Sequence, residues 1–403
     1  MTVDVRHPAE GELRACMQAA SDAFAEAFEE ADWERERVAV RLERAVGAFD
    51  NGRAVGFSAS YEFDLTVPGG DAVPTAGVTW VAVLPSHRRR GILRRSMEQL
   101  FRDAREHGEP LSALYASEAA IYGRFGYGVA THWTTLNAES KRIAFRDDPG
   151  ASGTVQLVDE GEAYAAFPSI YDTVRAQRPG MLSRTEHWWR RHRLADYEHW
   201  RRGASKRFYA LLELDGEHAG YALYRVKEEW DDGYPGGQVR VLEAFATSAA
   251  ATRELWRYLF SIDLTTRVQA ELFDPASPLV VLVVDPRALH LSLRDGLWLR
   301  LVDVEAALRR RAYEGDDTVV LDVHDAVLPE NTGRYRVGAR VERTEDEPDL
   351  ALDVADLASA YLGGFGFEEL GFAGRVDELR PGALARAGRL FRTPLPPHCP
   401  EVF

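Results

Sequence analysis

The fold is decided by one stretch of the chain, VTWVAVLPSHRRRGILRRSMEQLFRDAREHG, at residues 78 to 108. It begins as a β-branched apolar run that is typical of a buried strand, passes through a basic turn with one glycine, and ends in apolar residues at helical spacing. The pattern predicts a strand that feeds an amphipathic helix. The buried stripe of that helix is predicted at Leu93, Met97, Leu100, Phe101 and Ala104.

The turn between that strand and helix has the properties of an anion site. The first amide hydrogens of a helix lack partners within the helix, and the helix dipole favours negative charge there. Gly91 allows a ligand to approach the backbone closely, and Arg88, Arg89 and Arg90 add positive charge suited to a diphosphate. A solvated basic turn has the same composition, so a purely structural role is the alternative.

A second motif follows in LYASEAAIYGRFGYGVAT, residues 114 to 131. We expect a strand to end at Ser117 and a short helix to follow it, with Tyr122 ahead of Gly126 and Tyr127. A phenol within hydrogen-bond reach can protonate a departing group. Tyr122 and Tyr127 are both candidates for that role, and a core aromatic is the alternative for each.

Composition narrows the class of protein. A chain of 403 residues exceeds what one hydrophobic core usually organises, so two or three domains are expected. The net charge of -15 repels nucleic-acid phosphates and anionic lipid and attracts cationic partners. We therefore expect a cationic amine as substrate and no nucleic-acid partner, although acidity that only keeps the protein soluble is an equally good explanation.

Several other classes of protein find no support in the sequence. Cys16 and Cys399 lie at opposite ends without a partner motif, so we expect neither a disulfide framework nor a metal site. The first residues lack a basic start followed by an apolar run, and no stretch of 18 uncharged apolar residues occurs. A cytoplasmic protein without a membrane partner is the expectation.

The chain is predicted to form three domains. The turn formers and charges of RDDPGASG at 146 to 153 indicate a boundary. Beyond it, strands and helices repeat the order of the first part without a second phosphate turn, and a third unit starts near Leu289. The predicted domains are residues 1–148, 149–288 and 289–403.

The elements that apolar spacing predicts can be compared directly with the structure. In the first domain they are a strand at 3–6, helices over 13–28 and 36–49, and two strands within 53–70. In the second they are strands at 154–158, 207–214, 219–227, 239–246 and 279–283 and helices at 160–175 and 249–261. In the third they are a strand and helix within 290–313, a hairpin within 318–340, helices at 352–364 and 381–391, and an extended prolyl tail.

Both quoted motifs resemble those of the GNAT N-acetyltransferases, whose phosphate turn is written as Arg or Gln, two residues, Gly, one residue, and Gly or Ala. Here the turn is Arg88, Arg89, Arg90, Gly91, Ile92, Leu93, and Leu93 departs from the usual small residue. Over its whole length the chain resembles the Eis (enhanced intracellular survival) acetyltransferases of actinobacteria. The resemblance implies an α+β fold with two tandem GNAT-like mixed-sheet domains, the second without a cofactor motif, and a sterol-carrier-protein-like domain at the end.

The resemblance also implies a reaction and a set of roles. The reaction is transfer of acetyl from acetyl-CoA to amines of cationic small molecules, aminoglycosides at several positions, by a homo-hexamer. Tyr122 takes the role of general acid and the terminal carboxylate of Phe403 that of general base. Acetyl-CoA contacts are implied for Val81, Ala82, Val83, Arg89, Arg90, Gly91, Ile92, Leu93, Arg94, Ser117 and Glu118. Substrate contacts are implied for Asp22, Phe24, Trp33, Trp80 and Glu401.

Other functions stay open at this point. A terminal carboxylate has a pKa of about 3.5, too low for an efficient base unless the group is desolvated or relayed through water. The acceptor could also be a protein lysine or a polyamine. A lipid carrier, in which the C-terminal unit holds the lipid and the GNAT halves are inert, is the non-catalytic alternative.

Overall fold

The computed structural model describes residues 3–146 and 152–403, and it divides into two compact units. The first unit combines residues up to Thr131 with residues 296–397 and 402–403. The second unit combines residues 132–295 with residues 398–401. The predicted boundary stretch at 146–153 lies largely outside the described residues.

The first segment of the chain corrects two predictions. The predicted helix at 36–49 is wrong, because a helix ends at Ala39 and a strand starts at Ala45. Small apolar residues are compatible with a helix and with a strand, and pairing with the neighbouring strand favours the strand here. The two strands predicted within 53–70 are one long strand. The elements are β1 (Asp4–Arg6), α1 (Leu13–Phe24), α2 (Glu30–Ala39), β2 (Ala45–Asp50), β3 (Arg53–Thr66), β4 (Ala72–Val83), α3 (Ile92–Glu106), β5 (Leu111–Tyr115), α4 (Ala119–Tyr122) and β6 (Gly128–Val129).

The middle segment contains the predicted strands and helices apart from the stretch 279–283, and it adds strands at His132–Glu139 and Thr265–Phe273, which were not predicted. The apolar run at 279–283 is helical, and a run of this length cannot be assigned by periodicity alone. The elements are β7 (His132–Glu139), β8 (Thr154–Val158), α5 (Glu160–Arg175), α6 (Glu186–Trp188), β9 (Phe208–Leu214), β10 (Glu217–Lys227), β11 (Trp230–Asp231), β12 (Tyr234–Pro235), β13 (Gly237–Ala246), α7 (Ala249–Phe260), β14 (Thr265–Phe273), α8 (Leu279–Leu282) and β15 (Ser292–Asp295).

The last segment contains the predicted hairpin and helices. Its final helix begins after Gly382, whose φ of 83° ends the preceding turn. The elements are β16 (Leu297–Leu301), α9 (Val304–Arg310), β17 (Val319–His324), β18 (Gly333–Val337), β19 (Glu342–Arg343), β20 (Leu350–Asp353), α10 (Val354–Tyr361), α11 (Phe367–Phe372), β21 (Val376–Glu378) and α12 (Ala383–Leu390).

Three mixed sheets organise these elements. The first has the order β1-β2-β3-β4-β5-β16-β6, the second β15-β7-β14-β13-β10-β9-β8, and the third β19-β18-β17-β20-β21. Each sheet has one parallel pair, β4 with β5, β13 with β14, and β17 with β20. The sheets do not follow the predicted limits 1–148 and 289–403, because β7 pairs in the second sheet and β16 in the first. Apolar patterning marks a strand but does not say which sheet receives it.

The first unit has a hydrophobic core between α3 and the first sheet. Met97, Leu100, Phe101 and Ala104 are buried as predicted, whereas Leu93 is only half-buried. Helix α10 of the last segment packs on β6 and β16 of the same sheet. A Cβ on Gly128 of β6 would clash with a backbone carbonyl of α10, so glycine permits this close packing. The first sheet and the last segment therefore share one compact unit.

Candidate acetyl-CoA site

Strands β4 and β5 are paired for only part of their length. The parallel pairing covers three residues of β4, Thr75 to Gly77, opposite Leu111 to Ala113. Strand β4 then continues to Val83, while β5 ends at Tyr115. On the side of β5, the backbone of Val81 to Val83 therefore faces an opening, while on the other side Ala82 and Val83 pair with β3.

A β-bulge in β4 marks the start of this opening. Ala59 of β3 pairs with Thr79, but Phe57 pairs with Ala82, so β4 carries one extra residue. Trp80 lies in the bulge with a φ of 56°, a left-handed value that is uncommon for a bulky residue. A bulge bends the strand and redirects its side chains.

The start of α3 has the geometry of an anion site. Gly91 precedes the helix with a φ of 73°, in the region that favours glycine. Among the described residues, no atom lies within 4 Å of a Cβ built on Gly91, so the approach to the helix start is open. The guanidinium groups of Arg88, Arg89, Arg90 and Arg94 are exposed around it.

The corresponding helix of the second sheet differs at this point. Helix α7 links the parallel strands β13 and β14, as α3 links β4 and β5. Ser248 precedes α7, and its hydroxyl accepts a hydrogen bond of 3.1 Å from the amide of Ala251. A side-chain cap therefore takes one of the helix-start amides that a phosphate would need. Of these two helix starts, the contrast favours that of α3 as the anion site.

One cavity joins the opening between the strands, the start of α3 and Tyr122. Its volume is about 650 Å³. The residues predicted to bind acetyl-CoA all line it except Arg90, which donates to the Ser86 carbonyl at 3.3 Å. The lining residues are Ala23, Phe24, Val81, Ala82, Val83, His87, Arg88, Arg89, Gly91, Ile92, Leu93, Arg94, Glu98, Ser117, Glu118, Ile121, Tyr122, Arg124, Phe125, Ala326 and Val327.

The two candidate tyrosines differ in access. Tyr122 is buried yet lines the cavity. Burial raises the pKa of its hydroxyl, and a hydrogen bond with Ser117 partly offsets that effect. The Tyr127 hydroxyl is hydrogen-bonded to Ser112 Oγ at 2.6 Å in the core, where burial also raises its pKa. The geometry thus favours Tyr122 as the hydroxyl that can reach a ligand.

The C-terminal residue packs on the aromatic face of β3 and β4. The Phe403 ring lies 5.1 Å from the Phe63 ring and 6.4 Å from the Tyr61 ring, centroid to centroid. The Tyr61 hydroxyl donates to Glu36 Oε2 at 2.5 Å and accepts from Trp80 Nε1 at 3.3 Å. The terminus is therefore seated by aromatic packing beside the bulged end of β4.

Of the residues predicted to bind substrate, Phe24 lines the cavity. Asp22 is exposed and accepts a hydrogen bond of 2.8 Å from Gln18. Trp33 packs under the Arg14 guanidinium, and Trp80 contacts aromatic rings and Tyr61. These three lie apart from the cavity lining that the structure describes.

Glu401 occupies a different environment, in the second unit. Its fully buried carboxylate accepts from Arg184 Nε at 2.5 Å and from Trp188 Nε1 at 3.1 Å. Arg184 also pairs with the buried Glu243 at 2.5 Å. Because protein groups already hold both carboxylate oxygens, this placement argues against a direct contact between Glu401 and a substrate ammonium group.

Sequence reasoning missed part of the cavity wall. Ile121, Arg124 and Phe125 belong to the quoted second motif, so their position near Tyr122 in the cavity wall could have been predicted from that motif. Ala326 and Val327 follow β17 in the last segment and carry no motif that could have indicated them. Within residues 3–146 and 152–403, no group of three or more acidic, histidine or cysteine side chains could hold a metal ion. In the same residues, no helix is long and apolar enough to span a membrane.

Comparison with known proteins agrees with this architecture. Residues 4–130 and 180–301 each match a family described as an acetyltransferase (GNAT) domain, and residues 304–400 match a sterol carrier protein domain. An uncharacterized N-acetyltransferase of Streptomyces avermitilis is 41% identical over 93% of each chain. The N-acetyltransferase Eis of Mycobacterium tuberculosis is 36% identical over 87% of this chain and 86% of its own. The crystal structure of Eis1 from Mycobacterium abscessus aligns with a TM-score of 0.87 and 35% identity over all of both chains.

Fold and site together define an N-acetyltransferase with two GNAT domains and a sterol carrier protein domain, which confirms the predicted fold class and the predicted type of enzyme. GNAT acetyltransferases use acetyl-CoA as the acetyl donor. The chain belongs to the Eis family of N-acetyltransferases.

Proposed function

We propose that this enzyme moves acetyl from acetyl-CoA to the amines of cationic small molecules, aminoglycosides at several positions. The observation that carries the proposal is a single cavity that contains both the open start of α3 and the Tyr122 side chain. A diphosphate at Gly91 and a thioester beside Tyr122 would then fit one extended ligand. The net charge of -15 and the family membership support a cationic acceptor.

Each part of the cavity suits one part of acetyl-CoA. The amides at the start of α3, with Arg89 and Arg94, would hold the diphosphate. The backbone of Val81 to Val83, which faces the opening between β4 and β5, would hydrogen-bond the amides of the pantetheine arm. Ser117 and Glu118, at the opposite side of that opening, would flank the same arm.

The proposed chemistry is direct attack. The acceptor nitrogen forms a bond to the thioester carbon while the carbon–sulfur bond breaks. The Tyr122 hydroxyl donates a proton to the departing sulfur. A tyrosine hydroxyl is protonated at neutral pH, and burial raises the pKa of this one further. The Phe403 carboxylate accepts the proton that the amine nitrogen loses, directly or through water. Packing of the Phe403 ring on Tyr61 and Phe63 supports a fixed position for that carboxylate.

The acceptor is proposed to bind beside these groups. Phe24 reaches the cavity itself, and Asp22 supplies a carboxylate on the same helix. Trp33 and Trp80 offer aromatic faces that suit sugars and cations. Glu401 was also predicted to bind substrate; given its buried ion pairs, we propose a supporting rather than a direct role for it.

The test is release of coenzyme A thiol from acetyl-CoA, with and without an acceptor. Tobramycin and neamine should each stimulate release, and mass spectrometry should find more than one acetyl group on tobramycin. A polyamine and a lysine-containing peptide are run in parallel. Activity confined to the peptide or to the polyamine would identify that acceptor class instead. Failure of every acceptor, combined with binding of a lipid, would identify a carrier.

Assembly and location complete the proposal. We propose a homo-hexamer in the cytoplasm, on the basis of the resemblance of the chain to Eis acetyltransferases. Light scattering of the purified protein measures the mass of the assembly directly. A monomeric mass at working concentration would refute the hexamer.

A further inference from the structure

We propose that the C-terminal segment forms the wall of the coenzyme site that faces the nucleotide end of acetyl-CoA. Ala326 and Val327 supply this wall, and a buried ion pair between Arg300 and Asp325 holds it in place. The inference rests on the proposed use of this cavity for acetyl-CoA. It gives the C-terminal segment a part in coenzyme recognition beyond its match to a sterol carrier protein domain.

The wall is a tightly bonded loop. Asp325 Oδ1 accepts hydrogen bonds from the amides of Val327 at 3.0 Å and Leu328 at 2.9 Å. The Asp325 amide donates to Thr332 Oγ1 at 3.0 Å, and Asn331 Nδ2 donates to Asp325 Oδ2 at 2.9 Å. Leu328 and Val327 also pack against the apolar core of the first sheet. A loop with this many internal bonds is preorganised to contact a ligand.

The ion pair links this loop to the turn that follows Tyr122. Arg300 Nη2 lies 2.5 Å from Asp325 Oδ2, and both side chains are fully buried. On its other side the guanidinium packs against Gly126, where a Cβ would lie 2.7 Å from Nη1. Phe125, which precedes Gly126, lines the same cavity as Val327. The buried Arg300 side chain thus contacts both parts of the cavity wall, the turn after Tyr122 and the loop after β17.

The position of the loop along α3 indicates which end of the coenzyme it meets. Glu330 pairs with Arg105, near the C-terminal end of α3, at 2.9 Å, and Arg105 Nη2 donates to Asn331 Oδ1 at 3.1 Å. Glu330 and Asn331 therefore lie toward the C-terminal end of α3, while Ala326 and Val327 line the cavity that also reaches Gly91. The pantetheine arm is assigned to the opening beside β4, which leaves the wall of Ile121, Phe125, Ala326 and Val327 for adenosine. Arg124, also in the lining, would face its 3′-phosphate.

The test uses Ala326, because this residue is exposed and its substitution should leave folding intact. Ala326→Glu places a negative charge in the wall, and Ala326→Gln has nearly the same shape without the charge. Ala373→Glu, at an exposed position directly after α11 and outside the cavity lining, is the matched control. Calorimetry measures binding of acetyl-CoA and of S-acetyl-4′-phosphopantetheine, which lacks adenosine. Thermal unfolding checks that each variant is folded.

Ala326→Glu should weaken acetyl-CoA binding about tenfold, which corresponds to about 1.4 kcal/mol, and Ala326→Gln should weaken it less. Binding of S-acetyl-4′-phosphopantetheine should be unchanged in both, and Ala373→Glu should bind both ligands like the parent. Unchanged acetyl-CoA binding by a folded Ala326→Glu variant overturns the inference. Equal losses for the two ligands overturn the assignment to the nucleotide end. Failure of the parent enzyme to bind acetyl-CoA would instead refute the proposed function.

Discussion

The ring of Phe403 packs directly on the backbone of Gly77. A Cβ built on Gly77 would lie 3.2 Å from Cε2 of Phe403 and closer still to the Phe63 ring. Gly77 is also the last residue of β4 that pairs with β5. The C-terminal residue is therefore seated at the point where the two strands separate. A base placed there would lie beside the opening that is assigned to the pantetheine arm of acetyl-CoA.

Extension of the chain by two glycines past Phe403 tests that role. The carboxylate would move by up to about 7 Å, while the aromatic ring keeps its seat. If the carboxylate is the base, turnover should fall about a hundredfold, and the affinity for acetyl-CoA should not change. Steady-state rates and calorimetry measure the two effects. Val402→Ala, which leaves the terminus in place, serves as control, and full activity of the extended chain would remove Phe403 from the chemistry.

Tyr122→Phe should separate turnover from binding. Loss of the proposed acid should lower turnover about a hundredfold or more, with coenzyme affinity nearly unchanged, because only the hydroxyl is removed. Tyr127→Phe is the matched control, since it deletes the hydroxyl bonded to Ser112 in the core. That variant should lose about 1 kcal/mol of stability and keep its activity. The reverse pattern would transfer the acid role to Tyr127.

Gly91→Ala should impair coenzyme binding through the backbone. A left-handed φ costs a non-glycine residue about 1–2 kcal/mol, so either the helix start shifts or stability falls. Gly108→Ala is a close control, because Gly108 has a φ of 72° and follows the other end of α3. Urea unfolding should show similar losses for both variants. Only Gly91→Ala should weaken acetyl-CoA binding, and equal affinities in the two variants would argue against a phosphate at Gly91.

Asp325→Asn should destabilise the first unit by about 3–5 kcal/mol, because it leaves the buried Arg300 charge uncompensated. The double variant Arg300→Met/Asp325→Leu removes both charges and should recover most of that loss. It still lacks the carboxylate that accepts from the Val327 and Leu328 amides, so its KM for acetyl-CoA should stay raised while kcat is maintained. Urea unfolding and kinetics measure both. Normal KM in the double variant would show that the pair acts on stability alone.

His398 should make the second unit sensitive to acid. Burial lowers the pKa of its imidazole below the ordinary value of 6.5, with Arg178 acting in the same direction and Asp274 opposing. Below pH 6.5 the unfolded chain therefore binds a proton at His398 that the folded chain does not bind. The free energy of unfolding is unaffected by this residue above pH 6.5 and decreases as the pH falls below that value. The slope should be at most about 1.4 kcal/mol per pH unit. His398→Gln should flatten it, measured as urea midpoints from about pH 7.5 to about pH 5.

The parts of the site that are built from consecutive residues could be predicted from the sequence. The turn before α3 and the approach of Tyr122 follow from a strand, a glycine and a helix that are consecutive in the chain. Trp80 was identified only as an aromatic side chain, because its left-handed φ arises from an extra residue in pairing with β3. The register between β3 and β4 depends on both strands, so the sequence around Trp80 alone does not indicate the bulge.

Long-range placement accounts for the remaining differences. Ala326 reaches the cavity because the last segment packs on the first sheet, which no local pattern encodes. Glu401 was expected to bind substrate, yet Arg184 and Trp188 occupy its carboxylate oxygens. The sequence of residues 45–49 is compatible with a helix, but pairing with β1 and β3 makes these residues a strand. Local propensity gave way to tertiary context in each case.

Strand β16 also bears on how the chain is made. It lies between β5 and β6 in the first sheet, yet it is translated only after the whole of β7 to β15. During synthesis, the edges of β5 and β6 that it will cover are left open while the middle of the protein emerges. Open strand edges of this kind attract aberrant pairing. The nascent enzyme should therefore depend on chaperones until Leu301 has left the ribosome, and a fragment that stops at Thr131 should aggregate.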